Sequence, residues 1–133
     1  MKNYHLMYES KSIIQSKYSF EVQQLTYNAL KRLDERHRPY LHAAMQRCNY
    51  HLSETIVNYQ DSFSIQMQIA MYKNFVLRVA ELWSLLCQWP KEIYLPGLEE
   101  MVERVKQLYF DLLQELSRKE VHLIQINANR KPN

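Results

Sequence analysis

Apolar residues recur along most of this chain at the three- and four-residue spacing of an amphipathic α-helix. The most regular series spans residues 65–86 in alternating steps of four and three, and a second series of the same kind spans residues 98–116. Steps of this kind are typical of the contact seam between helices in a bundle. Two earlier stretches, residues 18–33 and 41–59, also keep their apolar side chains on one helical face. The spacing therefore predicts four helices.

Helix-breaking residues fall between these stretches. Pro39 follows the first stretch, and Pro90 and the pair Pro96–Gly97 bracket a short connector before the last one. Fifty residues without proline or glycine separate Pro39 from Pro90, and a single helix of that length would measure about 75 Å. We therefore expect a turn at Gln60–Ser62, with Asp61 or Ser62 capping the helix that follows.

The sequence thus predicts an all-α fold, an antiparallel four-helix bundle that closes within one chain or is completed by self-association. The expected helices lie at about 10–37, 40–60, 62–88 and 98–126. A chain of 133 residues fits one domain, which we place at residues 1–127, and the polar end at residues 128–133 is expected to be a disordered tail. The last two helices carry a second apolar row that either the bundle's own core or a partner would cover: Phe75, Leu82, Leu85, Met101, Leu108 and Leu113.

Composition excludes several classes of enzyme. Gly97 is the only glycine in the chain, and phosphate-binding loops, dinucleotide-binding fingerprints and nucleophile elbows all need glycines at fixed spacing. The formal net charge of +3 is too small to demand a nucleic-acid or membrane partner. No stretch approaches the roughly 18 apolar residues of a membrane span, and residues 1–18 lack the pattern of a secretory signal. We therefore expect no membrane span and a cytoplasmic location.

Cysteine and histidine supply only half of a metal site. Cys48 and His51 share one helical face, as two zinc ligands would, but Cys87 should lie about 20 Å further along the neighbouring helix. No glutamate has a histidine three residues later, which is the pattern that di-iron helical bundles use. We therefore predict no metal and no cofactor, and we expect both cysteines to be buried and free in a reducing compartment.

One short motif suggests a specific chemistry. Arg36 is followed six positions later by His42, and this arrangement resembles the arginine-x(4–6)-histidine signature of the HEPN superfamily of small helical-bundle ribonucleases. The resemblance implies that His42 would act as the acid–base group and Arg36 as the cation that holds an RNA phosphate, since imidazole titrates near neutrality and guanidinium grips phosphate with two hydrogen bonds. In the alternative interpretation, Arg36 complements a helix C-terminus and His42 lies in the first turn of the next helix.

The same stretch also offers a patch for binding nucleic acid without catalysis. Its members are four basic residues, Lys31, Arg32, Arg36 and Arg38. Tyr27 or Tyr40 would stack on bases beside them. Asp34 and Glu35 interrupt the run, as they would at a solvated helix end.

The connector between the last two helices is the strongest candidate for a protein-binding surface. Trp89, Tyr94 and Leu95 put aromatic and apolar groups into a segment that would ordinarily be polar, so the connector either packs over the end of the bundle or contacts a partner. With no catalytic signature, the sequence predicts a non-catalytic helical interaction module, such as an adaptor, accessory subunit, chaperone or inhibitor. It would act as a homodimer or with a protein partner, and an RNA-directed HEPN-like ribonuclease or nucleic-acid-binding bundle is the alternative.

Overall fold

The computed structural model describes residues 12–130. Over this range the chain forms a short 3₁₀ turn, Ile13–Gln15, and four α-helices: α1 (Lys17–Leu30), α2 (Pro39–Asn58), α3 (Ile65–Cys87) and α4 (Leu98–Asn129). No residue of the described range lies in a strand. The predicted all-α class is confirmed, and the helices pack against one another as in a bundle. No described helix is long and apolar enough to cross a membrane.

The core of the bundle takes side chains from every described helix. Ion pairs on the surface join neighbouring helices, with Arg104 of α4 lying 2.8 Å from Glu21 of α1, and Arg47 of α2 lying 2.7 Å from Glu81 of α3. The largest side chains that are almost completely buried come from all four helices, from the 3₁₀ turn and from the residue that follows α2, and include Ile14, Val22, Met45, Leu52, Tyr59, Tyr72, Phe75, Leu82, Leu86, Leu108 and Leu112. Burial of these apolar groups is the main source of stability for such a fold.

The second apolar row belongs mostly to this core. Phe75 and Leu82 are fully buried, and Met101 and Leu108 are almost so. Only Leu85 and Leu113 remain half-buried. Four of the six residues therefore pack within the chain, and a partner could reach only the remaining two.

The first helix is shorter than predicted at both ends. It begins at Lys17, because the Ser16 hydroxyl accepts a hydrogen bond from the Ser19 N–H and so caps the helix there. It ends at Leu30 instead of continuing to residue 37. The Asp34 carboxylate accepts from the Arg36 N–H at 2.8 Å, and this local turn replaces helical hydrogen bonding before Pro39. The apolar spacing alone could not reveal these polar contacts.

The break between α2 and α3 falls where the sequence predicts it. Residues 59–64 separate the two helices, and Gln68 donates hydrogen bonds to the Asp61 and Phe63 carbonyls across the turn. The predicted cap at Asp61 or Ser62 is wrong. Ser64 is the N-cap, since its hydroxyl accepts from the Met67 N–H at 3.2 Å.

The described chain begins in a 3₁₀ turn that is hydrogen-bonded to the bundle and ends just after α4. In the 3₁₀ turn, Gln15 donates to the Ile56 and Tyr59 carbonyls at the end of α2, while the Ile13 N–H donates to the Tyr72 hydroxyl. At the other end, α4 continues to Asn129, so the first two residues of the predicted tail are helical. The last three residues of that tail lie outside the described residues.

Candidate functional site

Trp89 fixes the connector, residues 88–97, to the end of the bundle. Its side chain is only 8% exposed, and its indole N–H donates to the Ile93 carbonyl at 3.0 Å. The Ile93 N–H in turn donates to the Pro90 carbonyl at 3.1 Å, which closes a tight turn. The connector therefore packs over the bundle through Trp89, and its role in partner binding stays a prediction for the residues that face outward.

Tyr94 is the aromatic side chain of the connector that faces solvent. It is 67% exposed, and the Arg32 guanidinium lies over its ring, 5.9 Å from the centroid. This distance is within the range of a cation–π contact. Nearby, an ion pair between Arg38 and Glu92 joins the α1–α2 turn to the connector. These contacts hold the connector against the turn that follows α1.

Between these segments lies an open cavity of about 420 Å³, which we call the end cavity. Leu25 and Met101 contribute apolar walls from α1 and α4, Leu95 and Pro96 come from the connector, and Asn28, Lys31 and Arg32 complete the lining. Among the residues that the structure describes, the lining contains two cations and no carboxylate. The end cavity thus combines an apolar interior with positive charge.

Gly97 makes the sharp entry into α4 beside this cavity. Its φ of +74° lies in the left-handed region, which glycine adopts without the steric cost that a side chain brings. Pro96 at the preceding position belongs to the cavity lining. The single glycine of the chain therefore has a structural use at the candidate site.

The fold brings together two sets of candidate residues that lie far apart in sequence. Lys31 and Arg32, predicted as nucleic-acid ligands, lie at the end cavity with Leu95 and next to Tyr94, both predicted as partner contacts. Arg38 does not line the cavity and pairs with Glu92 of the connector instead. Two of the four basic residues therefore line the end cavity, and two do not.

Arg36 and His42 do not form a common hydrogen-bonded group. Arg36 lies in the exposed turn before α2, where its backbone N–H donates to Asp34. His42 is half-buried in the first turn of α2, and its backbone N–H donates to the Arg38 carbonyl. Within residues 12–130, no hydrogen bond or ion pair joins the two side chains. A catalytic role for the pair stays a prediction.

The two cysteines have opposite environments. Cys48 is buried, and its thiol donates to the Glu81 carboxylate at 3.3 Å; burial and this hydrogen bond together raise the pKa of the thiol to about 12. Cys87 is exposed, so the expectation that both cysteines are buried is wrong for it, because the end of α3 projects it outward. Across the described part of the chain, no three His, Cys, Asp or Glu side chains are grouped so that they could hold a metal ion.

A second cavity, of about 320 Å³, is a weaker candidate. It lies where α3 begins and includes Gln68, Glu115, Arg118 and Lys119 in its lining. Its positive groups have partners already, since Arg118 lies 3.0 Å from Glu115 and Lys119 donates to Gln68 at 2.7 Å. A charged ligand would have to displace these contacts.

Sequence reasoning missed the walls of the end cavity. Leu25, Asn28 and Arg32 share one helical face by their spacing of three and four residues, which is a signal the sequence does contain. Met101 could be added only once α1 and α4 were known to be neighbours.

Comparison with protein families, curated proteins and solved structures gave no match for this chain.

Proposed function

We propose that this chain is a non-catalytic helical interaction module that binds a partner protein at the end cavity. The observation that carries the proposal is the lining of that cavity, where apolar walls meet the two cations Lys31 and Arg32. Tyr94 stands exposed at its edge. Tyrosine and arginine beside an apolar pocket are the side chains that most often dominate the energy of protein interfaces.

The lining also defines the chemistry of the partner. An apolar side chain would enter between Leu25, Leu95 and Met101, and an acidic side chain next to it would pair with Lys31 or Arg32. Arg32 already rests on the Tyr94 ring, so less side-chain freedom is lost when a carboxylate binds. The partner segment is therefore expected to carry an apolar anchor beside an acidic residue.

The remaining parts of the proposal concern the arrangement of the protein. An antiparallel bundle is supported by contacts between α3 and α4, since Lys119 meets Gln68 early in α3 whereas Tyr109 meets Trp83 late in it. Self-association is supported by apolar side chains left at the surface of α4, among them Phe110 and Ile124. A cytoplasmic location agrees with two free cysteines. Whether the module is an adaptor, accessory subunit, chaperone or inhibitor depends on the partner.

Affinity capture of the tagged full chain from its own cells, with quantitative mass spectrometry, tests the proposal. A protein recovered in stoichiometric amount with the unaltered chain should be lost with Tyr94→Ser and with Lys31→Glu. Tyr18→Ser is the matched control, because Tyr18 is 65% exposed and lies at the other end of α1. Equal recovery with all variants would remove the end cavity from consideration.

The same capture distinguishes nucleic acid from protein. Absorbance and nuclease digestion of the recovered material would reveal RNA. Stoichiometric RNA without a protein partner would overturn the proposal and favour the HEPN-like alternative. In that case Arg36→Ala and His42→Ala should abolish RNA cleavage while leaving the helical content unchanged.

A further inference from the structure

One stripe of α4 faces outward along the side of the helix that adjoins α3. Its members follow one another in steps of four, three, four, four, three and four residues, which keeps them on a single face: Val102, Lys106, Tyr109, Leu113, Ser117, Glu120 and Ile124. Four of the seven are exposed, and the other three are half-buried. The stripe is about 33 Å long. We refer to it as the α4 stripe.

Aromatic rings widen the middle of this stripe. The Trp83 ring of α3 lies 5.5 Å from the Tyr109 ring and 6.1 Å from the Phe110 ring, measured between centroids. The Tyr109 and Phe110 rings are themselves 5.4 Å apart, and Phe110 is 47% exposed. Three adjoining rings that are partly open to water form an apolar patch of the kind found at protein interfaces.

The α4 stripe is complementary to itself when its direction is reversed. Leu113 lies at its centre, and positions at equal distance on either side have matching properties. Lys106 corresponds to Glu120, with opposite charges. Large Tyr109 corresponds to small Ser117, and the outermost pair, Val102 and Ile124, is apolar at both positions.

This symmetry indicates that a second copy of the chain covers the stripe. In a twofold dimer the same surface of both copies is used, so each residue meets the residue at the mirrored position. Two antiparallel α4 helices crossing at Leu113 would place Lys106 opposite Glu120 of the partner subunit, and the second such pair follows by symmetry. A second copy of the chain matches this order of charge, size and polarity at every position.

We propose that two copies of this chain associate through the α4 stripe, with their α4 helices antiparallel and Leu113 on the twofold axis. The inference rests on the self-association included in the proposed function and names its surface. The end cavity takes only Met101 from α4, and this residue lies outside the stripe. Each dimer would therefore present two open end cavities.

Charge reversal tests the pairing through the oligomeric state. Sedimentation velocity of the purified full chain, over about a hundredfold range of concentration, should show a monomer–dimer equilibrium. Lys106→Glu or Glu120→Lys alone turns two attractions into two repulsions and should raise the dimer Kd about tenfold. The double variant Lys106→Glu/Glu120→Lys restores both pairs and should return the Kd to near that of the unaltered chain. Glu35→Lys, an exposed reversal in the α1–α2 turn, is the control.

The measured oligomeric state distinguishes self-association in general from association through the α4 stripe. A chain that stays monomeric over the whole range overturns both self-association and the stripe. A dimer that is insensitive to the single reversals, or that the double variant does not restore, overturns the stripe while leaving self-association in place. Circular dichroism of each variant shows whether the helices remain folded. None of these results changes the prediction for partner binding at the end cavity.

Discussion

Substitution of Trp89 by phenylalanine separates the structural role of the connector from its proposed binding role. The indole of Trp89 is 8% exposed and donates to the Ile93 carbonyl at 3.0 Å. Phenylalanine keeps an aromatic ring in the site but has no N–H to donate and buries less apolar surface. Stability should therefore fall, whereas contacts made by outward-facing Tyr94 should survive.

The size of the effect follows from these two losses. A hydrogen bond of this kind contributes about 1 kcal/mol net, and the lost ring area adds roughly 1 kcal/mol. For 133 residues the entropy of unfolding converts 1 kcal/mol into about 3.6 °C, so Trp89→Phe should lower Tm by about 7 °C. Tyr94→Ser loses only an exposed cation–π contact, worth less than about 1 kcal/mol, so its Tm should fall by less than about 4 °C.

Thermal unfolding followed by far-UV circular dichroism measures both variants, and affinity capture at a temperature well below either Tm measures binding. We expect Trp89→Phe to lose stability and retain the partner. We expect Tyr94→Ser to keep most of its stability and lose the partner. If Trp89→Phe melts within about 2 °C of the unaltered chain, Trp89 does not anchor the connector and the reasoning from its burial is wrong.

Three further predictions concern individual side chains. Burial acts to raise the pKa of Glu81, but hydrogen bonds from Arg47 and Cys48 outweigh it and hold this pKa below its ordinary value. Glu81→Gln should therefore cost about 1–2 kcal/mol in denaturant melts at neutral pH. Because the pKa of Glu81 is lowered in the folded state, this difference should shrink as acid protonates the carboxylate. A pH-independent difference would contradict the assignment. Burial raises the pKa of the Cys48 thiol to about 12, whereas Cys87 is exposed. Alkylation of the native protein at mildly alkaline pH should therefore modify Cys87 alone, and both thiols should react only after unfolding. Peptide mass spectrometry reads which thiol is modified. Gly97→Ala should lower Tm by about 4 °C through backbone strain at φ +74°, because a Cβ there meets no atom of the described residues within 4 Å and so adds no clash. An unchanged Tm would argue against the left-handed turn.

The later helices could be predicted well because their apolar stripes are long and regular. The structure has α3 and α4 within a few residues of the predicted bounds. The first helix was predicted too long, because the hydroxyl of Ser16 and the carboxylate of Asp34 form local hydrogen bonds that apolar spacing does not report. Boundaries set by caps and turns depend on such individual contacts.

The candidate site was only partly accessible to sequence reasoning. Tyr94 and Leu95 could be singled out because apolar groups in a connector are unusual. Trp89 was grouped with them, since the sequence does not tell which aromatic side chain turns inward. The meeting of Leu95 with Lys31, more than sixty positions away, depends on how the helices pack, which the spacing within each helix does not specify.

Photocrosslinking in living cells would show directly whether the end cavity binds a partner protein. A photoreactive phenylalanine analogue would replace Tyr94 in the full chain and, as the control, Tyr18, whose exposure is nearly the same. We predict one discrete protein adduct from position 94, absent from position 18 and lost when Lys31→Glu is added. No adduct from position 94, or the same adducts from both positions, would mean that the end cavity does not bind a partner protein.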